Sequence, residues 1–306
     1  MGQTVIKLKP NEMKKLIQHY SPYRESKTPP HSVLVATMNG CKITAYESGK
    51  VLFQGQQHSQ EAQKWESSET TSTKSTNSKS SQHSPGFLKQ DHIGSDEAGT
   101  GDYFGPITVA AVYATEKQQA LLRELGVKDS KTLKDPTIKS IVKDILKTDI
   151  IYSSLTLSNE KYNKLQRKGW SQGRMKSWMH HHAIKNVLNR MDDSIDPSGI
   201  LVDQFCKPEI FHNHVKATGG QPRQDLTFMT KAESYSTPVA AASMIARYRF
   251  IYEMARLSKE VGFDLQKGAS KVVDQQIKRI IQSKGEAYLD QVAKVHFANT
   301  KKGKSL

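Results

Sequence analysis

The sequence predicts an α/β protein with a mixed sheet flanked by helices, preceded by a small α+β unit. Three observations lead there. From residue 89 onward, strand-like and helical segments alternate, as they do when helices cover a sheet. Within that part, Ile107–Ala114 and Gly199–Phe205 are almost wholly apolar and read as buried strands. Ahead of it, residues 67–84 are rich in Ser, Thr, Lys, Asn and Gln and cannot bury enough surface to offset their ordering entropy. The expected division is a small domain over 1–66, a flexible linker over 67–88 and a large domain over 89–306.

In the small domain, Asn11 can cap a helix to about Tyr20 that places Met13, Leu16 and Ile17 on one face. Strands are expected over Ser32–Ala36, Cys41–Tyr46 and Val51–Gln54. Asn39-Gly40 and Ser48-Gly49 supply the two turns between them. A helix from Ser59 to Trp65 completes an α-β-β-β-α unit, too small for its own catalytic pocket. An antiparallel sheet with one open face suits contact with a nucleic-acid duplex. In the large domain, Thr237 reads as the cap of a helix with Pro238 at its first position. That helix runs to about Leu257, and Ala240, Ala241, Ala242 and Ser243 permit close packing on the sheet. Ser270 caps a further helix through Ile281, and no internal repeat is present.

Composition narrows the partners. The 306 residues carry a formal charge of +15. Residues 1–65 are net +5 and residues 91–306 net +9, so both parts are basic, which suits an extended polyanion. Only Cys41 and Cys206 occur, far apart, which argues against a disulfide scaffold or a cysteine zinc site and for a reducing compartment. There is no N-terminal apolar segment, and no run approaches the roughly 20 apolar residues of a membrane span. Ile6 stands where a myristoylation signal needs Ser or Thr. A cytoplasmic monomer with no membrane contact is expected.

The most informative segment runs from Gly94 to Pro106. Asp96 and Glu97 adjoin at the end of a strand-like run with no Lys or Arg close in sequence, a concentration of negative charge that is costly unless a cation fills it. Gly99-Thr100-Gly101 follows, where bare backbone can approach a ligand closely. Two further carboxylates sit at element ends: Asp203 after the apolar Ile200-Leu201-Val202, and Glu233 before the Thr237-Pro238 helix start. Carboxylates converging from separate elements are what divalent-ion phosphodiester chemistry requires. Taken singly, Asp203 could instead accept from a nearby backbone, and Glu233 could pair with Lys231. Neighbouring strand residues point to opposite faces, so either the strand ends or twists at Glu97, which Gly99 would permit, or Glu97 acts at one remove.

These blocks resemble a known family. Gly94-Ser95-Asp96-Glu97-Ala98-Gly99-Thr100-Gly101-Asp102, Asp129-Ser130-Lys131, Val202-Asp203, Lys231-Ala232-Glu233-Ser234 and Ala240-Ala241-Ala242-Ser243 look like the signature blocks of type 2 ribonucleases H. The small basic module, the linker, Glu233 in place of Asp, Lys267-Gly268-Ala269-Ser270 and His296-Phe297-Ala298-Asn299-Thr300 resemble the ribonuclease HIII branch, over essentially the whole chain. The resemblance implies a ribonuclease H-like large domain and a small domain similar to half of a TATA-box-binding protein. It implies endonucleolytic hydrolysis of the RNA strand of RNA/DNA hybrids with two Mg²⁺ or Mn²⁺ ions, leaving 5′-phosphate and 3′-hydroxyl ends. Asp96, Glu97, Asp203 and Glu233 are then the catalytic, metal-binding carboxylates, with Asp96 bridging the two ions.

By the same resemblance Gly99, Thr100 and Gly101 form the loop that reads the ribose 2′-hydroxyl through backbone groups. Thr100 stands where Lys or Arg is common, and Gln266 where Pro is, a change expected to alter only a local turn. Ser130, Lys131 and Lys231 fall at substrate-binding positions, the lysines as phosphate contacts. Cleavage at embedded ribonucleotides is a second outcome within the family. Outside this reading stand a non-catalytic hybrid-binding protein and a DNA-directed nuclease or transferase of the same fold.

Other residues invite weaker readings. Three adjacent imidazoles on a helix splay by about 100° each, so His180-His181-His182 reads as a basic helical face and not a metal site. Trp170 and Trp178 are expected to pack, and neither Asp102 nor Asp225 is expected to bind metal. Tyr103 either stacks on a base or ribose or closes the turn before Pro106.

Overall fold

The computed structural model describes residues 3–25, 32–47, 49–65, 85–128, 130 and 133–306. The chain divides into two compact units, Met1–Ser80 and Ser81–Leu306. Most of the expected linker lies outside the described residues. Its last four, 85–88, belong to the second unit's packing, since Phe87 and Leu88 lie against Leu201 and Val239.

The first unit runs β1 (Gln3–Lys7), α1 (Pro10–Tyr20), β2 (Ser32–Met38), β3 (Cys41–Tyr46), β4 (Lys50–Gly55), α2 (His58–Gln63). Its antiparallel sheet has the order β1-β4-β3-β2, one strand more than the three expected. Five residues ahead of a proline show too little alternation to read β1 as a strand. The first helix starts at Pro10 and not after an Asn11 cap. The proline ring presets its φ, and the Glu12 carboxylate accepts from Lys9 N at 2.8 Å. The second helix stops short of Trp65, whose indole donates to the Tyr20 hydroxyl, which in turn donates to buried Glu61. Leu16, Leu34, Ile43, Val51 and Phe53 form the core beneath the helices. By strand alternation, Val5, Lys42, Leu52 and Gln54 lie on the opposite face.

The second unit is built on five strands: β5 (His92–Ala98), β6 (Ile107–Ala114), β7 (Ile151–Leu157), β8 (Ile200–Asp203) and β9 (Leu226–Met229). The helices α3 (Glu116–Glu124) and α4 (Asp135–Ile145) lie between β6 and β7. Next come α5 (Asn159–Arg167) and α6 (Gln172–Leu188), and α7 (Pro208–Lys216) lies between β8 and β9. The last are α8 (Thr237–Val261), α9 (Lys271–Lys284), α10 (Leu289–Val292) and α11 (Ala298–Lys304). The sheet order is β7-β6-β5-β8-β9, antiparallel on the β7 side of β5 and parallel on the β8 side. This is the mixed, helix-flanked sheet the sequence predicts.

Alternation along β6 divides the core. Val109, Ala111 and Tyr113 pack under α5 and α6, whereas Ala110, Val112 and Ala114 pack under α3, α4 and α8. A Cβ at Gly94 would lie 2.2 Å from Val239 N, so the bare glycine lets α8 rest directly on β5. The cap of α8 is Ser236, not Thr237. Its hydroxyl accepts from Val239 N at 3.2 Å, and the helix runs on to Val261. The strand expected over Gly199–Phe205 is only Ile200–Asp203, and its last ladder bond to β9 runs from Gln204 N to Met229 O at 2.9 Å. Behind Phe250 and Met254 of α8, a third cluster joins Tyr103 and Phe104 to α9, α10 and the chain's end. Among the described residues no helix is long and apolar enough to cross a membrane.

Candidate active site

Of the four expected carboxylates, Asp96, Glu97 and Asp203 interact at one end of the second sheet, and Glu233 follows just beyond β9. Asp96 and Glu97 lie in the last turns of β5, Asp203 ends β8 beside it, and Glu233 follows β9 in a 3₁₀ turn (Ala232–Ser234). In register, Asp96 aligns with Ala110 and Glu97 with Val109, so their side chains leave on opposite faces. Asp96 shares the α8 face with Asp203; Glu97 points toward α6. The strand therefore stays regular through Glu97.

Each face holds its carboxylates differently. Asp96 is buried and bonded by the Ser243 hydroxyl from α8, while its Oδ1 accepts from Glu97 N at 2.7 Å. Burial, then the charges of Glu97 and Asp203, hold its carboxyl well above the usual carboxylate range in spite of those bonds. Burial acts on Glu97 in the same direction. There the bond and charge of His180, with the charge and bond of Lys176, outweigh it and bring the carboxyl below its ordinary value. Lys176 Nζ sits 2.6 Å and His180 Nε2 2.9 Å from the two oxygens of Glu97. Adjacent acids pushed in opposite directions mark a site where charge is managed rather than merely tolerated.

His180 also bonds Ser95 Oγ at 2.7 Å through Nδ1 and is fully buried. The basic helical face expected for His180–His182 is thus not what forms. His180 faces the site. Burial, then His182, Lys185 and Arg223, holds His181 below its ordinary value, and burial with Lys185 does the same for His182. Sequence reasoning missed His180 and Lys176. Their signal is spacing, since 176, 180, 184 and 187 trace the buried stripe of α6 and two of those four are polar. Removing the His180 ring leaves Glu97 Oε2 buried without that donor. His180→Ala is expected to lower turnover by about 10- to 100-fold and to cost about 2–4 kcal/mol of stability. Cleavage assays and thermal melts check this against His182→Ala, which should change neither much.

Asp203 Oδ1 accepts from Ala232 N at 2.9 Å. That approach depends on Lys231, which holds a left-handed φ of 57°, uncommon for a residue with a side chain and a mark of imposed geometry. Lys231 itself is exposed and Glu233 buried. Among the described residues no group of three or more His, Cys, Asp or Glu is arranged close enough to hold a metal as they stand. Glu97 is drawn to α6 and Asp203 to Ala232 N. The donor set is nonetheless oxygen-only, and the charge on buried Asp96 is opposed by two acids and by burial, which is the environment a divalent cation would relieve.

The loop after β5 is strongly constrained. Gly99 has φ 86°, and a Cβ there would lie 2.3 Å from Pro106 O, whereas a Cβ on Gly101 would meet nothing within 4 Å. Gln172 Nε2 bonds Thr100 O at 3.1 Å. Lys294 Nζ bonds Asp102 O at 2.7 Å and Gly105 O at 2.6 Å, and Asn159 Nδ2 also bonds Gly105 O. Thr100 Oγ1 is buried with no hydrogen-bond partner among the described residues. Tyr103 is fully buried with its hydroxyl 2.9 Å from Thr300 Oγ1, so it closes the turn and cannot stack on a substrate.

Asp102 accepts from Gly268 N, Asp225 pairs with Arg223, and Gln266 N is held by Gln276 Oε1. Trp170 and Trp178 pack against the α5–α6 core. Ser130 is buried with its hydroxyl 2.9 Å from Ser243 Oγ, one step from Asp96. Lys131 lies outside the described residues.

The family profile described as Ribonuclease HII matches residues 93–300, and one described as a domain of unknown function (DUF3378) matches residues 3–78. The chain is 47% identical to the ribonuclease HIII of Oceanobacillus iheyensis, with 100% of both chains covered. It is 43% identical to that of Bacillus subtilis, covering 100% of this chain and 98% of the relative. The crystal structure of Bst-RNase HIII in complex with Mn²⁺ superposes with a TM-score of 0.71 at 39% identity, covering 99% of this chain and 98% of that one.

Proposed function

The chain belongs to the ribonuclease HII family and, over its full length, to that family's ribonuclease HIII branch; from that premise we propose that it hydrolyses the RNA strand of RNA/DNA hybrids endonucleolytically, leaving 5′-phosphate and 3′-hydroxyl ends. One observation carries the assignment of the site. Asp96, near the end of β5, and Asp203, at the end of the parallel neighbour β8, share one face, and with Glu97 they concentrate a negative charge around buried Asp96 that a divalent cation would neutralise. Asp96, Asp203 and Glu233 would hold the ions from the α8 side and Glu97 from the α6 side. The Mn²⁺ bound by Bst-RNase HIII supports Mn²⁺ or Mg²⁺ in that role. Two such ions, when bound, would activate the attacking water and stabilise the departing oxygen.

The chain's own residues supply the rest. His180 and Lys176 keep Glu97 ionised and hold its carboxylate toward α6. Ser243 orients Asp96 from α8, and Ser130, in the segment before α4, backs the Ser243 hydroxyl. The Gly99–Gly101 backbone, held by Gln172 at Thr100 O and followed by the Asp102–Gly105 turn that Lys294 clamps, would meet the ribose 2′-hydroxyl, the group that separates RNA from DNA. Lys131 and Lys231 would contact phosphates. The two free cysteines accord with a reducing cytoplasm, and the reading is of a monomer. Incubation with Mg²⁺ or Mn²⁺ and four duplexes tests the proposal: RNA/DNA hybrid, DNA with one embedded ribonucleotide, double-stranded RNA and double-stranded DNA. Loss of the hybrid's RNA strand supports it. Cleavage of all-DNA duplex, or none of the four, overturns it.

The first unit, net +5 over residues 1–65 with an open sheet face, would hold the duplex. Deleting residues 1–65 is expected to weaken hybrid binding by about tenfold or more and to reduce the salt slope by roughly 2–4, while turnover at saturating substrate changes little. Binding titrations at several salt concentrations check this. Unchanged affinity would give the unit another role.

A further inference from the structure

We propose that a cleft on the flank of the second unit, between α5 and α6, is a docking site for an acidic peptide segment bearing one large apolar side chain. The cleft has a volume of about 300 Å³. Leu157, Leu165, Trp170 and Trp178 form its floor, and Lys161, Lys164 and Lys168 stand around its rim. It lies at edge strand β7, separated from the carboxylates on β5 by the whole of β6.

Three features define the occupant. The first is charge. The lysines, three and then four residues apart, share one face of α5 and extend it at its C-terminal cap. All three are exposed, and among the described residues none forms an ion pair. Neighbouring cations differ, with Arg167 paired to Asp290 and Lys176 to Glu97. Like charges at this spacing repel unless a partner neutralises them, so the rim is complementary to a run of carboxylates.

The second is the floor, which offers aliphatic and indole carbon and almost no polar groups. A Phe or Leu side chain buries well there, whereas a nucleobase would leave donors and acceptors unmatched. The third is ring access. One face of Trp170 is covered by the Arg174 guanidinium at 4.3 Å, and Trp178 lies against the His182 ring at 4.4 Å. Neither ring is left open on both faces as a platform for successive bases. An apolar anchor in a pocket ringed by opposite charge is the pattern of a short-peptide site.

The test uses the full chain and a fluorescein-labelled synthetic peptide of alternating Asp and Glu ending in Phe, followed by anisotropy. Binding with a dissociation constant of roughly 1–100 μM is expected, weakening with salt. It should fall tenfold or more when the terminal Phe is replaced by Ala, and likewise in the chain carrying Lys164→Glu and Lys168→Glu. Hybrid cleavage by that double variant should stay within about twofold of wild type in both KM and kcat. No binding below about 1 mM, or equal binding of the Phe and Ala peptides, overturns the proposal. So does a matching tenfold rise in the double variant's KM for hybrid, or displacement of the peptide by single-stranded DNA with the same lysine dependence, since either makes the cleft a nucleic-acid contact.

Discussion

Asp96→Asn is expected to reduce hybrid cleavage by at least about 10³-fold and, with divalent ions chelated, to raise the melting temperature. The two effects share one cause. Asp96 is a buried carboxylate whose ionised form is opposed first by burial and then by Glu97 and Asp203. A carboxyl whose folded pKa lies above its unfolded value of about 3.9 leaves stability untouched at lower pH. As pH rises through the interval between the two values the folded state loses stability, and above both the full penalty applies. At neutral pH the metal-free wild type therefore carries a cost that the neutral amide lacks. The amide oxygen can still accept from Glu97 N.

A gain on the order of 1 kcal/mol or more is expected for the variant at pH 7–8, shrinking as pH falls toward 4. Adding Mg²⁺ or Mn²⁺ should reverse the order. A bound ion stabilises the wild type by about 2.7 kcal/mol at a hundred times its dissociation constant and should do little for the variant. Thermal melts in chelator and in excess metal, across pH 4–8, decide the matter. An inactive Asp96→Asn that melts below wild type in chelator at pH 7.5 would sink this electrostatic account.

The carboxylates were legible because a strand-ending acid beside glycines, or after an apolar run, is a local pattern. Asp96, Asp203 and Glu233 needed only their immediate neighbours to be suspected. What holds them was not local. His180 and Lys176 reach Glu97 from about 80 positions downstream, on a helix whose buried stripe includes polar residues, so periodicity suggested an outer face where an inner one exists. Tyr103 was ambiguous for a similar reason. Its partner Thr300 is 197 positions away, and only the fold could choose between stacking and closure. Boundaries failed by one residue where two neighbours competed, as at Pro10, whose ring presets the helical φ, over Asn11, and at Ser236, whose hydroxyl takes the capping bond, over Thr237. Strand alternation left two outcomes open for Glu97, a strand that ends or twists there or a carboxylate acting at one remove, and the unbroken register of β5 with β6 through Ala98 removes the first.

Lys294→Met is expected to change stability with a sign that depends on pH, while lowering activity at every pH. Lys294 is fully buried, and its ammonium spans the loop after β5 by donating to Asp102 O and Gly105 O. Burial draws its pKa down to about 7, against the opposing charge of Asp102. Below pH 7 both folded and unfolded lysine are protonated, and the folded state bears the whole desolvation cost, on the order of 5 kcal/mol for a shift of this size. Between pH 7 and about 10.4 the folded amine is neutral while the unfolded chain still binds a proton, so folding gains stability as pH rises.

Methionine removes that titration and also the two carbonyl bonds. Gly105 O keeps Asn159 as a partner, so the loss falls mainly on Asp102 O, at about 1–3 kcal/mol. The penalty removed exceeds the bonds lost at pH 6, and the bonds lost exceed the penalty by pH 9–10. The variant should therefore melt higher than wild type at pH 6 and lower near pH 9.5, by about 2–4 °C per kcal/mol for a unit of this size. Activity follows a different rule, because a neutral amine still has two N–H groups for two carbonyls. Wild type thus keeps its loop in place on both sides of pH 7, and the variant does so on neither. A drop in kcat/KM of about 10- to 100-fold that does not vary with pH is expected, together with a crossing of the two melting curves. Parallel curves from pH 6 to 10 would mean that Lys294 keeps an ordinary lysine pKa, and the loop would then be held by a charged clamp throughout.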